Sequence, residues 1–209
     1  MKPGVLLEMQ TSPVFEQTYH HYVSQIGGLD YLSRAERLGV EVDGDCLVIP
    51  LYTTLYRVSR DGVEPVRGSS ITAAVRVIIC KYVLMCPDDT PATPDRLMTY
   101  REFRNAGPLV SYFTANTNKT IESQFAGKMD ELKTRALRLG GVAESTATHD
   151  LSLRFHALPR IPVILNFNDS DDLFPASCSI LYKQTAEHYL DMECLAMTGT
   201  LLAGTLIKP

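Results

Sequence analysis

The chain has 209 residues, of which 45% are hydrophobic and 21% are charged, and these proportions are typical of a globular protein rather than a disordered one. Its net charge of −4 offers no basic stripe to a polyanion, so nucleic acid is disfavoured as a partner. The longest apolar stretches fall short of the roughly 20 residues that a membrane span requires. Its 5 scattered cysteines do not form a disulfide framework pattern, so we expect a cytoplasmic, reduced protein without membrane association.

The length and the hydrophobic fraction are sufficient for one ordinary core, so we expect a single domain over residues 1–209. The segment 86–96 contains Pro87, Pro91 and Pro94, which make it a stiff surface loop and a possible internal boundary.

Two helices are predicted at the start of the chain. Ser12 followed by Pro13 is typical of a helix start, with the serine as N-cap, and apolar residues recur at helical spacing until Gly27. A second, short helix is predicted from about Leu29 to Leu38, and Gly39 should end it in a left-handed conformation.

Strands come next in the chain. Val40 to Val42 and the run from Cys46 to Val58 have strand composition, and turn signals stand at Asp43-Gly44-Asp45 and Asp61-Gly62. The short spacing between these signals predicts a small antiparallel meander.

The middle of the chain is predicted to contain two longer helices. Ser69 or Ser70 should cap an apolar helix from Ile71 to Val83, which we expect at the centre of the core. The residues from Asn105 to Asn118 have an irregular pattern. Apolar residues from Ile121 to Leu139 then step by three and four, which predicts one continuous amphipathic helix closed by two glycines.

The last third of the chain predicts three strands and a long helix. The strands cover Leu151 to Phe155, Ile161 to Phe167 and Cys178 to Tyr182, and the helix runs from about Asp191 to Ile207. Because strands and helices do not alternate regularly, we predict an α+β fold, with helices packed on a largely antiparallel sheet and a long C-terminal helix. Dinucleotide and P-loop motifs are missing from the sequence, so no cofactor is expected.

An acidic turn, Asn168-Asp-Ser-Asp-Asp172, is the first candidate site. Oxygen-bearing residues at alternate positions suit a hard cation, although the spacing of an EF-hand fails because Leu173 and Ser179 replace its glycine and glutamate. The alternative is a solvated hairpin connection, in which such side chains bond the nearby backbone. The candidate metal ligands are Asp169, Asp171 and Asp172.

A histidine beside carboxylates is the second candidate. His188 with Asp171 or Asp172 could supply the acid and base groups of a hydrolase-like enzyme. The alternative is that Asp191 and Glu193 cap the last helix and offset its dipole, without any catalytic role.

The acidic C-terminal segment is also a candidate interaction surface. The residues from Ile161 onwards hold six acids and two bases, so this segment alone carries the net charge of the chain. We expect a protein partner or a small ligand at this surface rather than a catalysed reaction. The candidate contact residues are Glu187, Asp191, Glu193 and the pair Arg101 and Glu102, the last of which falls in a predicted capping box that starts at Thr99.

A series of short motifs links this segment to a known family. They are Leu97-Met-Thr-Tyr-Arg-Glu-Phe103 followed by Gly107, then Leu158-Pro-Arg-Ile-Pro162, Asp171-Asp-Leu-Phe-Pro-Ala-Ser177, Ile180-Leu181, Ala186-Glu-His-Tyr-Leu190 and Glu193. In these motifs, and in the order of its hairpin and helix, the chain resembles domain-of-unknown-function family 3786 from about Tyr19 to Ile207. It departs from the family pattern at Asn168, where a tryptophan is usual, and at Lys183, where an aspartate is often found.

The resemblance implies a bacterial or archaeal protein of a family prominent in anaerobes, some of whose members look fused to iron–sulfur modules of the corrinoid-protein type. It thereby implies a cytoplasmic accessory or binding role near corrinoid or one-carbon metabolism. The resemblance carries over no catalytic residue.

Overall fold

In a computed structural model of the chain, which describes residues 13–68, 70–89, 91 and 96–208, the strands form two separate antiparallel sheets. The first sheet is a four-stranded meander in chain order. Its strands are β1 (Glu41–Asp43), β2 (Cys46–Leu51), β3 (Thr54–Ser59) and β4 (Gly62–Pro65). The predicted meander is therefore confirmed.

The second sheet has five strands in the order β5-β9-β8-β7-β6. They are β5 (Leu97–Thr99), β6 (Val142–Glu144), β7 (Leu151–Leu158), β8 (Ile161–Asn168) and β9 (Ser177–Lys183). β8 is the middle strand and is buried from Ile161 to Phe167. The α+β fold with antiparallel strands is thus confirmed, and the antiparallel strands are divided between two sheets.

The helices surround these sheets. They are α1 (Pro13–Gly27), α2 (Ala35–Leu38), α3 (Ala73–Leu84), α4 (Val110–Phe113), α5 (Lys119–Phe125), α6 (Met129–Arg138) and α7 (Met192–Leu206). Short 3-10 turns occur at Leu32–Arg34, Tyr100–Glu102, Gly107–Leu109 and Gln184–His188. No helix in the described ranges is both long enough and apolar enough to cross a membrane.

Most of the helix predictions are confirmed. α1 begins at Pro13, and α2 ends at Gly39 with the expected left-handed φ of 69°. The N-cap of α3 was predicted wrongly, because Thr72 rather than Ser70 accepts the hydrogen bond, from the Val75 N–H at 3.3 Å. Ser12 and Ser69 lie outside the described residues.

The segment from Asn105 to Asn118 was predicted to be irregular, and this was wrong. α4 continues directly into a π-helix at Thr114–Asn118. Threonine and asparagine are poor helix formers, so tertiary contacts stabilise this segment instead. Thr117 is fully buried there, and its hydroxyl lies 3.4 Å from that of Thr200 in α7.

The continuous helix from Ile121 to Leu139 was also predicted wrongly. The helix is interrupted between α5 and α6, where Gly127 takes a left-handed φ of 72°. Phe125 and Leu132 lie on either side of the break and are both buried. Because the buried residues keep their spacing through the break, the periodic pattern gave no sign of it.

The buried apolar side chains of both sheets and of the longer helices belong to one cluster. α3 is central to it, as predicted, and Ile79, Tyr82 and Val83 have no exposed surface. The two sheets are joined directly where the Tyr52 N–H, in the β2–β3 turn, donates to the Ala157 carbonyl of β7 at 2.9 Å. The extent of the domain over residues 1–209, with a boundary in 86–96, stays a prediction.

α7 lies close against the larger sheet at a glycine. A Cβ on Gly199 would be 2.6 Å from the Phe113 ring and 2.8 Å from the Tyr182 hydroxyl of β9. The lack of a side chain at Gly199 therefore allows α7 to pack against the Phe113 ring and the Tyr182 side chain of β9.

This close approach predicts opposite effects for two glycines of α7. Gly199→Ala should lower the free energy of unfolding by about 1–3 kcal/mol, because the added methyl group overpacks the core. Gly204→Ala should raise it by up to about 1 kcal/mol, since a Cβ there meets no atom within 4 Å and alanine favours the helix. Urea unfolding measures the free energy of unfolding of both variants. Equal effects would contradict the close packing at Gly199.

Candidate functional site

The acidic turn lies in the β8–β9 loop, residues 169–176, and its first aspartate fixes the loop to the rest of the molecule. One oxygen of Asp169, Oδ1, accepts the Gly127 N–H at 2.6 Å and the Ser170 N–H at 2.8 Å. The Asp169 N–H donates to Asp150 Oδ2 at 2.8 Å. The loop is thereby tied both to the α5–α6 break and to the residue that precedes β7.

The second aspartate shapes the tip of the loop. Asp171 Oδ1 accepts the N–H groups of Leu173 and Phe174 at 2.8 and 2.7 Å, while the Asp171 N–H donates to the Phe174 carbonyl at 3.0 Å. This is the local side-chain-to-backbone bonding that makes aspartate common in turns. Asp172 is exposed beside it.

These bonds bear on the cation hypothesis. Asp169 Oδ1 and Asp171 Oδ1 each accept two backbone N–H groups, so these oxygens already have hydrogen-bond donors. In the described part of the chain, no group of three or more His, Cys, Asp or Glu side chains is placed to hold a metal ion. The geometry of the loop is that of a hairpin connection ordered by its own aspartates.

The candidate catalytic residues lie beyond opposite ends of β9. Asp171 and Asp172 precede β9, whereas His188 follows it, exposed at the end of the 3-10 turn Gln184–His188. β9 is seven residues long, which corresponds to roughly 20 Å at the usual rise of a strand. A shared acid–base site would require the two ends of this strand to meet.

The tip of the loop carries two exposed apolar side chains that are not among the site residues predicted from the sequence. Leu173 is 81% exposed and Phe174 is 68% exposed, the two highest values among the large apolar side chains that the structure describes. The available sequence signal was an adjacent leucine and phenylalanine directly after the acidic turn. Exposed apolar groups with a polar rim are typical of interaction sites.

Asp191, a candidate contact residue, has a structural role. Its Oδ1 accepts the Cys194 N–H at 2.9 Å as the N-cap of α7, and its Oδ2 lies 3.0 Å from Lys81 Nζ of α3. Burial raises the pKa of this carboxyl, but the Cys194 N–H and the Lys81 ammonium outweigh burial and hold the pKa below its usual value. The other acid of that helix turn, Glu193, is exposed.

Arg101 and Glu102 lie beside β5. Glu102 Oε2 accepts the Thr99 N–H and hydroxyl at 2.7 and 2.8 Å, so the predicted capping box is confirmed. Its other oxygen pairs with Arg96 at 2.6 Å, and the pKa of Glu102 is lowered mainly by the Thr99 N–H. Arg101 is exposed. Glu187 is partly exposed and follows β9, whereas the β8–β9 loop precedes that strand.

A comparison with protein-family models finds one that spans most of the chain. A model described as a domain of unknown function (DUF3786) matches residues 30–205. No curated protein and no solved structure gives a significant match to the chain.

The N-cap and ion pair of Asp191 predict a pH-dependent contribution to stability. The folded-state pKa lies below the unfolded value, so the stabilisation is present at neutral pH and is lost as the pH falls through the folded-state pKa. Asp191→Ala should lower the free energy of unfolding at pH 7 by about 1–2 kcal/mol. The difference from the unmodified protein should shrink below about pH 4.

Urea unfolding over a series of pH values measures this effect. Glu193→Ala is the matched control, because it removes an exposed carboxylate from the same helix turn and should have a much smaller effect. A loss for Asp191→Ala that is constant from pH 3 to pH 7 would rule out the charged cap.

Proposed function

We propose that this chain, which belongs to the DUF3786 family of domains of unknown function, is a cytoplasmic accessory domain that binds a protein partner through its β8–β9 loop. The observation that carries the proposal is the exposure of Leu173 and Phe174 at the tip of a loop whose shape is held by hydrogen bonds. In protein interfaces a few side chains that fill well-packed pockets of the partner, aromatic ones prominent among them, supply most of the binding energy.

The order of the loop supports this role. Asp171 Oδ1 holds the backbone of both apolar residues, and Asp169 fixes the loop to Gly127. A segment that is already ordered loses less conformational entropy on binding than a flexible one does. Leu173 and Phe174 are therefore presented in a shape that a partner can bind at low cost.

The charge around the tip of the loop indicates which surface charge a partner would need. Asp171 and Asp172 are exposed at the tip, and Asp169 is partly exposed at the base of the loop, where its N–H donates to the exposed Asp150. Lys128, which follows Gly127, is an exposed base, and these four carboxylates outnumber it. A partner with an apolar pocket and a basic rim is complementary, and its charges would accelerate association.

The metabolic setting of the partner rests on the sequence resemblance alone. Some members of the family look fused to iron–sulfur modules of the corrinoid-protein type, and this resemblance favours a partner in corrinoid or one-carbon metabolism. Residues 1–209 hold five scattered cysteines and no cysteine-rich motif, so they would not bind a cluster themselves.

A double substitution at the tip tests the proposal. Leu173→Ala with Phe174→Ala should weaken binding of the partner by at least about tenfold, because it removes both apolar contacts. The midpoint of unfolding should stay nearly unchanged, since both side chains are exposed. A photo-reactive phenylalanine analogue at position 174, cross-linked in the native host and followed by mass spectrometry, identifies the partner whose affinity is measured.

Position 137 provides the matched control. Leu137 is 50% exposed on α6, and a photo-reactive group there should not capture the same partner. Leu137→Ala should leave the affinity unchanged, whereas Asp172→Asn should reduce both the affinity and its dependence on salt. Full binding by the double variant at 173 and 174 would refute the proposal.

A further inference from the structure

A cavity of about 100 Å³ lies where the β2–β3 turn meets α3, the end of α6 and α7. Apolar walls are supplied by Leu51, Leu139 and Leu201, and hydroxyl groups by Thr54, Tyr56 and Thr205. In the part of the chain that the structure describes, every residue that lines the cavity is uncharged. The cavity is partly open to solvent, and none of its lining residues belongs to the β8–β9 loop.

The turn at this cavity has an unusual backbone. Tyr52 is the first of the two residues between β2 and β3 and has a φ of 52°, a position of hairpin turns that favours glycine. A residue of this kind is strained and persists only where its surroundings hold it. Here the Tyr52 N–H donates to the Ala157 carbonyl at 2.9 Å, and its hydroxyl donates to the Thr198 carbonyl at 2.8 Å.

These two bonds give the cavity a fixed wall. Ala157 belongs to β7 and Thr198 to α7, so the turn is attached both to the larger sheet and to the C-terminal helix. The wall is therefore preformed, as is usual for small-molecule sites, and a bound molecule would not have to order the turn.

The polar groups of the lining are neutral. The Thr205 hydroxyl donates to the Leu201 carbonyl at 2.7 Å, which leaves its oxygen free to accept a hydrogen bond. Burial raises the pKa of the Tyr56 phenol, so this group stays protonated at physiological pH. A charged ligand would lose its hydration here without gaining an opposite charge.

We propose that this cavity binds a small uncharged molecule about one aromatic ring in size, which carries a hydroxyl or N–H donor directed at Thr205. The size follows from a comparison, since an apolar protein cavity of about 150 Å³ holds benzene. The present cavity is smaller but open on one side, so the polar end of the ring can remain near solvent.

A pair of probes of matched shape tests the charge requirement. p-Cresol is neutral, whereas p-toluate has the same methyl-substituted ring with a carboxylate. In the full-length protein with ¹³C-labelled leucine methyl groups, p-cresol should shift the signals of Leu51, Leu139 and Leu201 in a saturable manner. The dissociation constant should be on the order of 1 mM or tighter, with p-toluate at least tenfold weaker.

Variants of the lining test the location. Leu201→Phe should fill the cavity and weaken p-cresol binding at least tenfold, while Leu109→Phe, at a partly buried position outside the cavity, should keep the original affinity. Thr205→Val changes the shape little and removes the hydroxyl, so it should abolish the preference for p-cresol over toluene. This variant keeps the test decisive if Leu201→Phe fails to fold.

Three results would overturn the proposal. They are the lack of any saturable shift with p-cresol, equal binding of p-toluate, and a preference for p-cresol over toluene that survives Thr205→Val. None of these results bears on partner binding by the β8–β9 loop, so the two proposals can fail separately.

Discussion

At Gly199, α7 comes so close to β9 that a single methyl group would collide with Phe113 and Tyr182. This approach brings the backbone of α7 within reach of tyrosine hydroxyls from three other parts of the chain. Tyr52, Tyr100 and Tyr182 donate to the α7 carbonyls of Thr198, Met192 and Leu195 at 2.8, 2.7 and 3.2 Å. Each such bond contributes about 1 kcal/mol net, but an unpaired buried phenol would cost more than that.

Three further contacts connect α7 to other helices. Thr200 meets Thr117 of the π-helix, Asp191 pairs with Lys81 of α3, and Arg135 of α6 donates to the Leu206 carbonyl at 3.0 Å. The cavity follows from this arrangement, because the Tyr52 hydroxyl holds the β2–β3 turn against α7. The β8–β9 loop extends from the central strand of the larger sheet.

The sequence could predict part of the candidate site and not the rest. The acidic turn at 168–172 was recognisable, because aspartate and asparagine bond the local backbone wherever a hairpin turns. The roles within it depend on distant residues, since Asp169 bonds Gly127, which is 42 positions away. The exposure of Leu173 and Phe174 was not predictable either, because leucine and phenylalanine are among the residues most often buried.

By itself the sequence determined the α+β class, the meander and the long C-terminal helix. These depend on local periodicity, turn residues and capping groups, which act between neighbours in the chain. Only the tertiary structure decided the π-helix at Thr114–Asn118, the break at Gly127 and the strained turn at Tyr52. The π-helix and the Tyr52 turn are unfavourable on their own and are held by contacts from distant segments. Glycine adopts the conformation of Gly127 readily, but the hydrogen bond from its N–H to Asp169 joins positions that are far apart in the chain.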